Sequence, residues 1–290
     1  MKKINKFFFF GFGQTAKYFI KELISTNKTF TFCTTNTKKT TFLNFNKRKF
    51  KSFKFKNNTY DKKLLHELKD ADFILISIPP HGKRDLVLQK FSKILRKSNF
   101  LKLIYLSATS VYGNHNGRWV NENSKLKGKT LFGLRRKATE KVWINFRKQS
   151  GLDINILRVS GIYSKENNVL KKILKKNIYV KEKKYFSRIR VEDLAIIIKK
   201  MFFSKKKSMT LNATDDKPST NIEVANYAAR LLKLKYLNAK PISEFKNKMI
   251  KEFYKDSKKV SNKKMKRQLK IKLKYPNYKY GLRDIFNNFR

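Results

Sequence analysis

At 290 residues the chain can bury one large core or two lobes, and its 40% of apolar residues excludes an intrinsically disordered protein. A single cysteine, Cys33, excludes a disulfide framework and any multi-cysteine metal site, so we predict no metal and a reducing, cytoplasmic compartment. The net charge of +51 would suit nucleic acid or an anionic membrane, but the lysines are spread over nearly every segment. A/T-rich codons explain them together with the many Phe, Ile, Asn and Tyr residues, so we expect neither partner.

The first 160 residues alternate short apolar runs with longer helical patterns, which is typical of a parallel sheet with crossover helices. Strands are predicted at 5–10, 29–33, 50–55, 73–78, 101–106 and 154–159, and helices near 14–25, 62–69, 85–97 and 132–149. The apolar run at the start is too short for a signal peptide, and no stretch approaches the ~18 apolar residues of a membrane span. This βαβ succession predicts an α/β protein with a Rossmann-like doubly wound parallel sheet over residues 1–160.

After residue 160 the pattern changes. Helices are predicted at 169–176, 192–203 and 221–234, with a strand at 209–213, and Thr220 or Ser219 is the expected N-cap of the last helix. The lysine-rich tail, residues 246–290, keeps regularly placed apolar residues and is expected to pack against the body of the protein. No Gly-, Ser- or Pro-rich linker separates the two parts, so we expect interleaved lobes.

A phosphate-binding turn is predicted directly after the first strand, where it opens a helix. It has the sequence Gly11-Phe12-Gly13-Gln14-Thr15-Ala16. Gly11 permits the tight turn, Gly13 lets the backbone approach a pyrophosphate, and Ala16 lets the helix lie close to the strand. The helix N-terminus then offers free N–H groups to the anion. The alternative is a tight turn without a ligand.

The end of the second strand bears on the choice between NAD and NADP. An NAD site places a carboxylate here for the ribose 2′-OH, but residues 23–60 contain no acidic residue. Hydroxyls and lysines around Thr35 and Asn36 suit a 2′-phosphate instead, so NADP is predicted, with NAD possible. After the fourth strand, Ser77, Ile78 and Pro79 are expected beside the cofactor, or they form an ordinary proline-terminated strand.

With these residues in place, the chain resembles the extended short-chain dehydrogenase/reductases, the NAD(P)-dependent epimerase/dehydratase group, and within it an atypical bacterial branch. The strings that carry the resemblance lie at 11–16, 77–80, 106–113, 157–163, 186–195, 211–218 and 275–276. The resemblance implies a Rossmann domain, a smaller C-terminal substrate-binding lobe over 161–290, and a homodimer formed through two helices. It also implies hydride transfer between nicotinamide and a small alcohol or ketone, often on a nucleotide sugar.

The proton relay of this family is a Tyr, a Lys four residues later and a Ser or Thr. Here the Tyr position falls on Phe132, the Lys position on Arg136 and the Ser/Thr position on Ala108, with Thr109 beside it. Phe132 has no ionisable proton, and the pKa of an arginine is too high for proton transfer. We assign catalytic roles to Thr109, Tyr112 and Arg136, of which Arg136 could hydrogen-bond a ribose but not transfer the proton. Tyr112 also suits a structural or substrate-lining role.

Four further residues are predicted to bind substrate: Ser110, Ser160, Tyr163 and Arg188. The resemblance suggests that Arg188, or less readily Arg190, faces a substrate phosphate or carboxylate. The alternative for either arginine is an ion pair with Glu192 or Asp193.

Three functions remain open from the sequence. The first is an NADP-binding oxidoreductase or epimerase-like enzyme with a non-standard proton donor. The second is a catalytically degenerate NADP-binding sensor, which the missing Tyr allows. The third is a nucleic-acid-binding protein, which would require a contiguous lysine face with interleaved aromatic residues.

Overall fold

The computed structural model describes residues 4–26, 29–82, 84–175, 178–235 and 237–288. Its helices are α1 (Gln14–Ser25), α2 (Leu64–Lys69), α3 (Leu86–Lys97), α4 (Leu131–Ser150), α5 (Val169–Leu174), α6 (Val191–Phe202), α7 (Asn221–Leu231), α8 (Lys248–Phe253), α9 (Lys263–Leu269) and α10 (Tyr278–Asn287). Two 3-10 turns lie at Thr109–Tyr112 and Ile242–Glu244.

The longer strands are β1 (Asn5–Phe10), β2 (Phe30–Asn36), β3 (Thr41–Phe45), β4 (Arg48–Lys56), β6 (Phe73–Ile76), β7 (Lys102–Ala108), β9 (Ile154–Val159) and β14 (Thr210–Ala213). The shorter ones are β5 (Thr59–Tyr60), β8 (Trp119–Val120), β10 (Gly161–Tyr163), β11 (Tyr179–Val180), β12 (Tyr185–Phe186), β13 (Arg188–Arg190), β15 (Ser219–Thr220), β16 (Ala239–Lys240) and β17 (Lys259–Val260).

Within the described residues, nine strands form one sheet in the order β14-β9-β7-β6-β1-β2-β4-β3, with β5 paired to β4. The neighbours of β1 are parallel to it, and Phe7 is opposite Phe32 on one side and Phe73 on the other. β3 turns back and pairs antiparallel with β4. The large, mostly parallel sheet is the architecture that the alternating sequence pattern predicts.

The run Phe7–Phe10 explains why β1 lies at the centre of this sheet. Phe7 packs edge-on against Phe19 of α1 at 5.7 Å between ring centroids, whereas Phe10 faces Phe91 of α3 at 5.5 Å. All four phenylalanines of the run are buried. A strand that is covered by helices on both faces needs this continuous apolar sequence and not an alternating one.

The chain folds into two compact units, each built from several segments. The first comprises residues 1–107, 135–157 and 194–210, and the second comprises 108–134, 158–193 and 211–290. In the first unit Lys102 is almost fully buried, and its ammonium donates to the carbonyl oxygens of Met201 at 3.3 Å, Ser204 at 2.6 Å and Lys206 at 3.0 Å. Lys102 thereby satisfies carbonyl groups at and just beyond the C-terminus of α6.

The core of the second unit is formed by α5, α7 and α10, whose apolar faces contribute Leu170, Val224 and Leu282. The predicted N-cap of α7 is confirmed for Thr220, whose hydroxyl accepts from the backbone N–H of Glu223 while the Glu223 carboxylate accepts from Thr220. This reciprocal pair fixes the start of the helix. The tail also packs as predicted, since its residues Val260, Met265, Leu269 and Leu273 are buried.

Several boundaries differ from the sequence prediction. β2 continues to Asn36, because its last residues pair with β4. The strand predicted at 50–55 is β4, but β3 was not predicted, so its antiparallel hairpin with β4 was missed. α7 ends at Leu231, and α5 ends at Leu174, while Lys176 of its predicted range lies outside the described residues. Among the residues that the structure describes, no helix is long and apolar enough to cross a membrane.

Candidate functional site

The glycine turn lies at the junction between β1 and α1. Gly11 has a φ of +98°, and a Cβ at this position would lie 2.9 Å from both Ser77 Oγ and Ile78 Cγ2. Its N–H donates to the buried hydroxyl of Thr35 at 2.9 Å. Only glycine fits both this backbone conformation and this close approach, so the strand can turn sharply into the helix.

Gly13 is the N-cap of α1, and no side chain of the described residues caps the helix there. A Cβ on Gly13 would have no described atom within 4 Å, so open space lies in front of the first helical turn. Ala16 is fully buried, as expected if the helix lies close to the strand. Free N–H groups at a helix start and space in front of them are what a dinucleotide diphosphate requires, so the turn fits the predicted cofactor.

The other predicted residues of the turn surround it. Phe12 packs against Phe50 at 4.9 Å between ring centroids, and the ammonium of Lys17 lies 5.2 Å from the Phe12 ring centroid. Gln14 is half-buried at the start of α1, and Thr15 is buried.

The loop after β2 is shaped by Asn36. Its carbonyl oxygen accepts from the N–H of Lys38 at 2.8 Å, and its amide donates to the carbonyl of Lys39 at 2.9 Å and to Ser52 Oγ at 2.9 Å. Asn36 therefore fixes a loop whose residues 37–39 are exposed. The loop presents a hydroxyl and two ammonium groups where an NAD site would place a carboxylate.

Ser77 and Ile78 lie beside Gly11, as the contacts above show, and the Ser77 hydroxyl donates to the carbonyl of Phe10 at 3.0 Å. Pro79 is exposed. The first unit thus brings Gly11, Thr35, Ser77 and Ile78 together around one turn.

Arg136 is half-buried on α4 and donates to the carbonyl of Leu106 at 2.8 Å and to the hydroxyl of Tyr105 at 3.2 Å. Burial raises the pKa of Tyr105 to about 12, so the phenol stays neutral beside the guanidinium. These contacts anchor Arg136 to β7, and a catalytic role for it stays a prediction.

The second unit contains a cavity of about 790 Å³. Thr109 and all four residues that the sequence predicts to bind substrate line it, and so does Phe132 at the position of the missing tyrosine. These lining residues are Thr109, Ser110, Phe132, Ser160, Tyr163 and Arg188. The rest of the lining is mostly apolar and aromatic, with polar and charged side chains among it, which is typical of a small-molecule site.

Tyr112 is not among the lining residues. It is fully buried, its hydroxyl donates to Asn212 Oδ1 at 2.7 Å and accepts from Arg158 Nη1 at 2.9 Å, and burial raises its pKa to about 12. These contacts favour the structural alternative for Tyr112, and the predicted catalytic role has no contact to support it among the described residues.

Arg188 is held by neutral groups. Its guanidinium donates to the carbonyl oxygens of Phe186 at 3.0 Å and Ser219 at 2.9 Å, and to the side-chain oxygen of Asn221. Among the described residues no carboxylate lies within ion-pair distance of it. Burial lowers the pKa of Arg188, and the charge of nearby Asp215 opposes this shift in part. Burial also raises the pKa of Asp215 well above its usual range, although Arg188 lowers it.

Two buried hydroxyls of the cavity wall lack hydrogen-bond partners in the part of the chain that the structure describes. They belong to Ser160 and Tyr163, which are 5% and 8% exposed. Tyr163 is accommodated because residue 281 is glycine, since a Cβ there would lie 2.1 Å from the Tyr163 hydroxyl. Both oxygens are enclosed by protein atoms, and an unpaired buried hydroxyl costs free energy unless a ligand or water reaches it.

Sequence reasoning missed the charged residues that the C-terminal segment adds to the cavity wall, namely Glu252, Asp256 and Lys258. In a chain where lysine occurs in nearly every segment, no local signal distinguishes Lys258 from the others. Aromatic residues of the same wall, including stacked Phe186 and Phe253 at 4.5 Å between ring centroids, were missed as well.

Comparisons with known proteins agree with these features. Residues 88–192 match the model of the NAD dependent epimerase/dehydratase family. A conserved protein of unknown function from Silicibacter pomeroyi DSS has a similar fold, with a TM-score of 0.85 and 25% identity over 98% of this chain and 99% of that one. No curated protein matches the chain.

Two enzymes have the same fold at lower identity. dTDP-glucose 4,6-dehydratase from Bacillus anthracis str. Ames, solved in complex with NAD, gives a TM-score of 0.77 and 16% identity over 99% of this chain and 96% of that one. UDP-N-acetylglucosamine 4-epimerase from Bacillus cereus gives 0.76 and 16% over 99% of each chain. The predicted family resemblance and the Rossmann-like α/β fold class are thereby confirmed.

Proposed function

We propose that this epimerase/dehydratase-like chain is an NADP-preferring oxidoreductase that acts on a small anionic alcohol or carbonyl compound, such as a nucleotide sugar. The observation that carries the proposal is the uncapped start of α1 at Gly13, with open space in front of it among the described residues. The backbone of residues 11–15 would hold the cofactor diphosphate, and Thr35, Ser77 and Ile78 support the turn. The bound nicotinamide would supply the hydride chemistry.

The preference for NADP is supported by the loop after β2. A ribose 2′-phosphate carries negative charge that a carboxylate would repel and that Lys38 and Lys39 would attract. Both lysines are exposed, and Asn36 fixes the backbone that carries them. The solved dehydratase with this fold contains NAD, so the proposed preference rests on the residues of this chain alone.

An anionic substrate is supported by Arg188. The hydrogen-bond partners of the buried Arg188 guanidinium are neutral and Asp215 compensates its charge only in part, and burial of such a charge is costly. A phosphate or carboxylate in the cavity would supply the missing partner. Ser160 and Tyr163 would then hydrogen-bond the same molecule, and Thr109 and Ser110 contribute further hydroxyls to the wall.

A catalytically degenerate NADP sensor is the weaker alternative, because a sensor does not require a second cavity with a buried cation and unpaired hydroxyls. Three further expectations rest on the sequence. Residues 1–160 are expected to bind the cofactor and residues 161–290 the substrate. The chain is also expected to form a homodimer and to be cytoplasmic.

The test is a fluorescence titration of the purified chain with NADPH and with NADH. We expect saturable binding of both, with NADPH bound at least ~10-fold more tightly, which corresponds to about 1.4 kcal/mol. Binding of neither nucleotide would refute the proposed function. Tighter binding of NADH would refute only the preference for NADP.

A further inference from the structure

Lys258 occupies a defined place in the cavity wall. It directly precedes β17, and its N–H donates to the carbonyl of Tyr185 at 3.2 Å. The carbonyl of the preceding residue, Ser257, accepts from the N–H groups of His115 and Gly117, both at 3.0 Å. These bonds hold the backbone of the segment, so the position of Lys258 is fixed by the fold.

β17, which follows Lys258, packs against the 3-10 turn that contains Thr109. Val260 of β17 is buried in one cluster with Val111 and Tyr112 of the 3-10 turn Thr109–Tyr112. Thr109, Lys258 and Val260 also line the same cavity. Lys258 therefore lines the same cavity as the predicted catalytic residue Thr109.

The side chain of Lys258 is only 11% exposed, which is unusual for a lysine. Its ammonium donates to Asp256 Oδ2 at 3.2 Å and to no other acceptor among the described residues. An ammonium has three N–H donors, so donors remain for a molecule in the cavity.

Burial lowers the pKa of Lys258, and the charge of Asp256 opposes this shift only in part. The other titratable or charged groups around the segment are Glu252 of α8, Tyr185 of β12, Lys259 over the Tyr185 ring, and His115. A buried lysine with a lowered pKa is suited to accept and donate a proton.

We propose that Lys258 exchanges the substrate proton in this cavity, in place of the phenol that Phe132 cannot supply. This inference rests on the proposed function. In the oxidation, the neutral amine takes the hydroxyl proton of the substrate as the adjacent C–H leaves as hydride to the oxidised cofactor. The O–H and C–H bonds break, an N–H bond and a carbonyl form, and Lys258 becomes an ammonium. In the reduction the ammonium returns the proton to the nascent alkoxide.

The direction of the pH dependence follows from this step. Oxidation needs the neutral amine, so its rate rises with pH through the lowered pKa of Lys258. Reduction needs the ammonium, so its rate falls over the same range.

The test measures the ionisation of Lys258 without a substrate. The full chain is labelled with a trace of acetic anhydride between pH 6 and pH 11, and the labelled lysines are quantified by peptide mass spectrometry. Lys255, whose side chain is 66% exposed, is the internal control. We expect the labelling midpoint of Lys258 to lie below that of Lys255. Equal midpoints, or a Lys258 that never reacts, would overturn the proposal.

The variant Asp256→Asn adds a second check. Its loss of the carboxylate should lower the labelling midpoint of Lys258 further. An unchanged midpoint would contradict the contact on which the argument depends. NADPH titration of the same sample separates the two proposals. Loss of NADPH binding refutes the proposed function, whereas normal binding with an unshifted midpoint refutes only the role of Lys258.

Variants at position 258 provide a second readout on any substrate that the wild type turns over. Lys258→Arg keeps the charge but does not titrate, so we expect unchanged NADPH affinity and a kcat lower by ~10²–10⁴-fold. A kcat within a factor of ~2 of the wild type would overturn the proposal, since ~2-fold amounts to only about 0.4 kcal/mol in the barrier.

Discussion

Arg188 and Arg190 lie two residues apart on β13, yet their guanidinium groups have opposite surroundings. Arg190 forms a bidentate pair with Glu192, at 2.6 and 2.9 Å, and also binds Asp284 at 3.1 Å and the carbonyl of Gly281 at 3.0 Å. Arg188 has neutral partners among the described residues and lines the cavity. The sequence allowed an ion pair for either arginine, and Arg190 makes it. Arg188 makes no ion pair among the described residues, so its charge can bind an anion in the cavity.

This contrast predicts different effects of the same substitution. Arg188→Met removes a buried charge that has no carboxylate in ion-pair contact but leaves three acceptors unpaired, so we expect a smaller loss of stability than for Arg190→Met. As the proposed function requires, we also expect it to lose binding of an anionic nucleotide-sugar probe, UDP-glucuronic acid. Arg190→Met leaves Glu192 and Asp284 without their partner and should lower the free energy of unfolding by about 2 kcal/mol. Urea unfolding and calorimetric titration with UDP-glucuronic acid measure the two effects. Equal destabilisation by both variants would contradict the assignment.

Gly13→Val should abolish NADPH binding while the protein stays folded. The φ of Gly13 is −83° and its Cβ would meet no described atom within 4 Å, so valine fits the backbone but fills the space proposed for the diphosphate. Ser25→Val at the exposed opposite end of α1 is the matched control and should bind NADPH normally. NADPH fluorescence measures both variants, and tight binding by Gly13→Val would remove the turn from the cofactor site.

Phe132→Tyr should leave the affinity for NADPH within a factor of ~2, because the ring is kept and exposed substitutions usually change free energies by less than about 0.5 kcal/mol. The side chain of Phe132 lines the cavity and is 46% exposed. A large loss of NADPH affinity in the same fluorescence assay would mean that the assignment of the relay positions along α4 is wrong.

Tyr112→Phe should destabilise the protein by about 1–3 kcal/mol without changing NADPH affinity, because it leaves the buried Asn212 and Arg158 groups without the hydroxyl between them. Tyr280→Phe is the control, since Tyr280 is 61% exposed. Thermal unfolding of the two variants separates them. If Tyr112→Phe is as stable as Tyr280→Phe, the hydroxyl of Tyr112 does not have the structural role described here.

Added salt should raise the melting temperature of the wild type. At a net charge of +51 the folded chain repels itself, and salt screens this repulsion over about 8–10 Å at 0.10–0.15 M ionic strength. Thermal unfolding at ~0.02 and ~0.3 M sodium chloride, where screening differs strongly, measures the effect. A melting temperature that is constant or falls would show that self-repulsion does not limit stability.

The sequence by itself determined the elements that depend on local pattern. Phe7–Phe10 could only form a strand buried on both faces, and Gly11, Gly13 and Ala16 predicted a sharp turn into a helix, because backbone conformation and helix–strand distance depend on the size of those residues. The Phe132 substitution and the missing carboxylate after β2 were likewise visible without coordinates.

Only the tertiary structure decided which polar groups are buried and with which partners. Arg188 and Arg190 share one short strand, and no local pattern reveals that Glu192 and Asp284 neutralise one and not the other. The same holds for Lys258, which resembles many other lysines of the chain until the bond of its N–H to Tyr185 and the bonds of Ser257 to the 115–117 loop place it in the cavity wall. Burial, and with it the pKa and reactivity of a side chain, depends on residues that are distant in sequence, so it emerges only when the chain is folded.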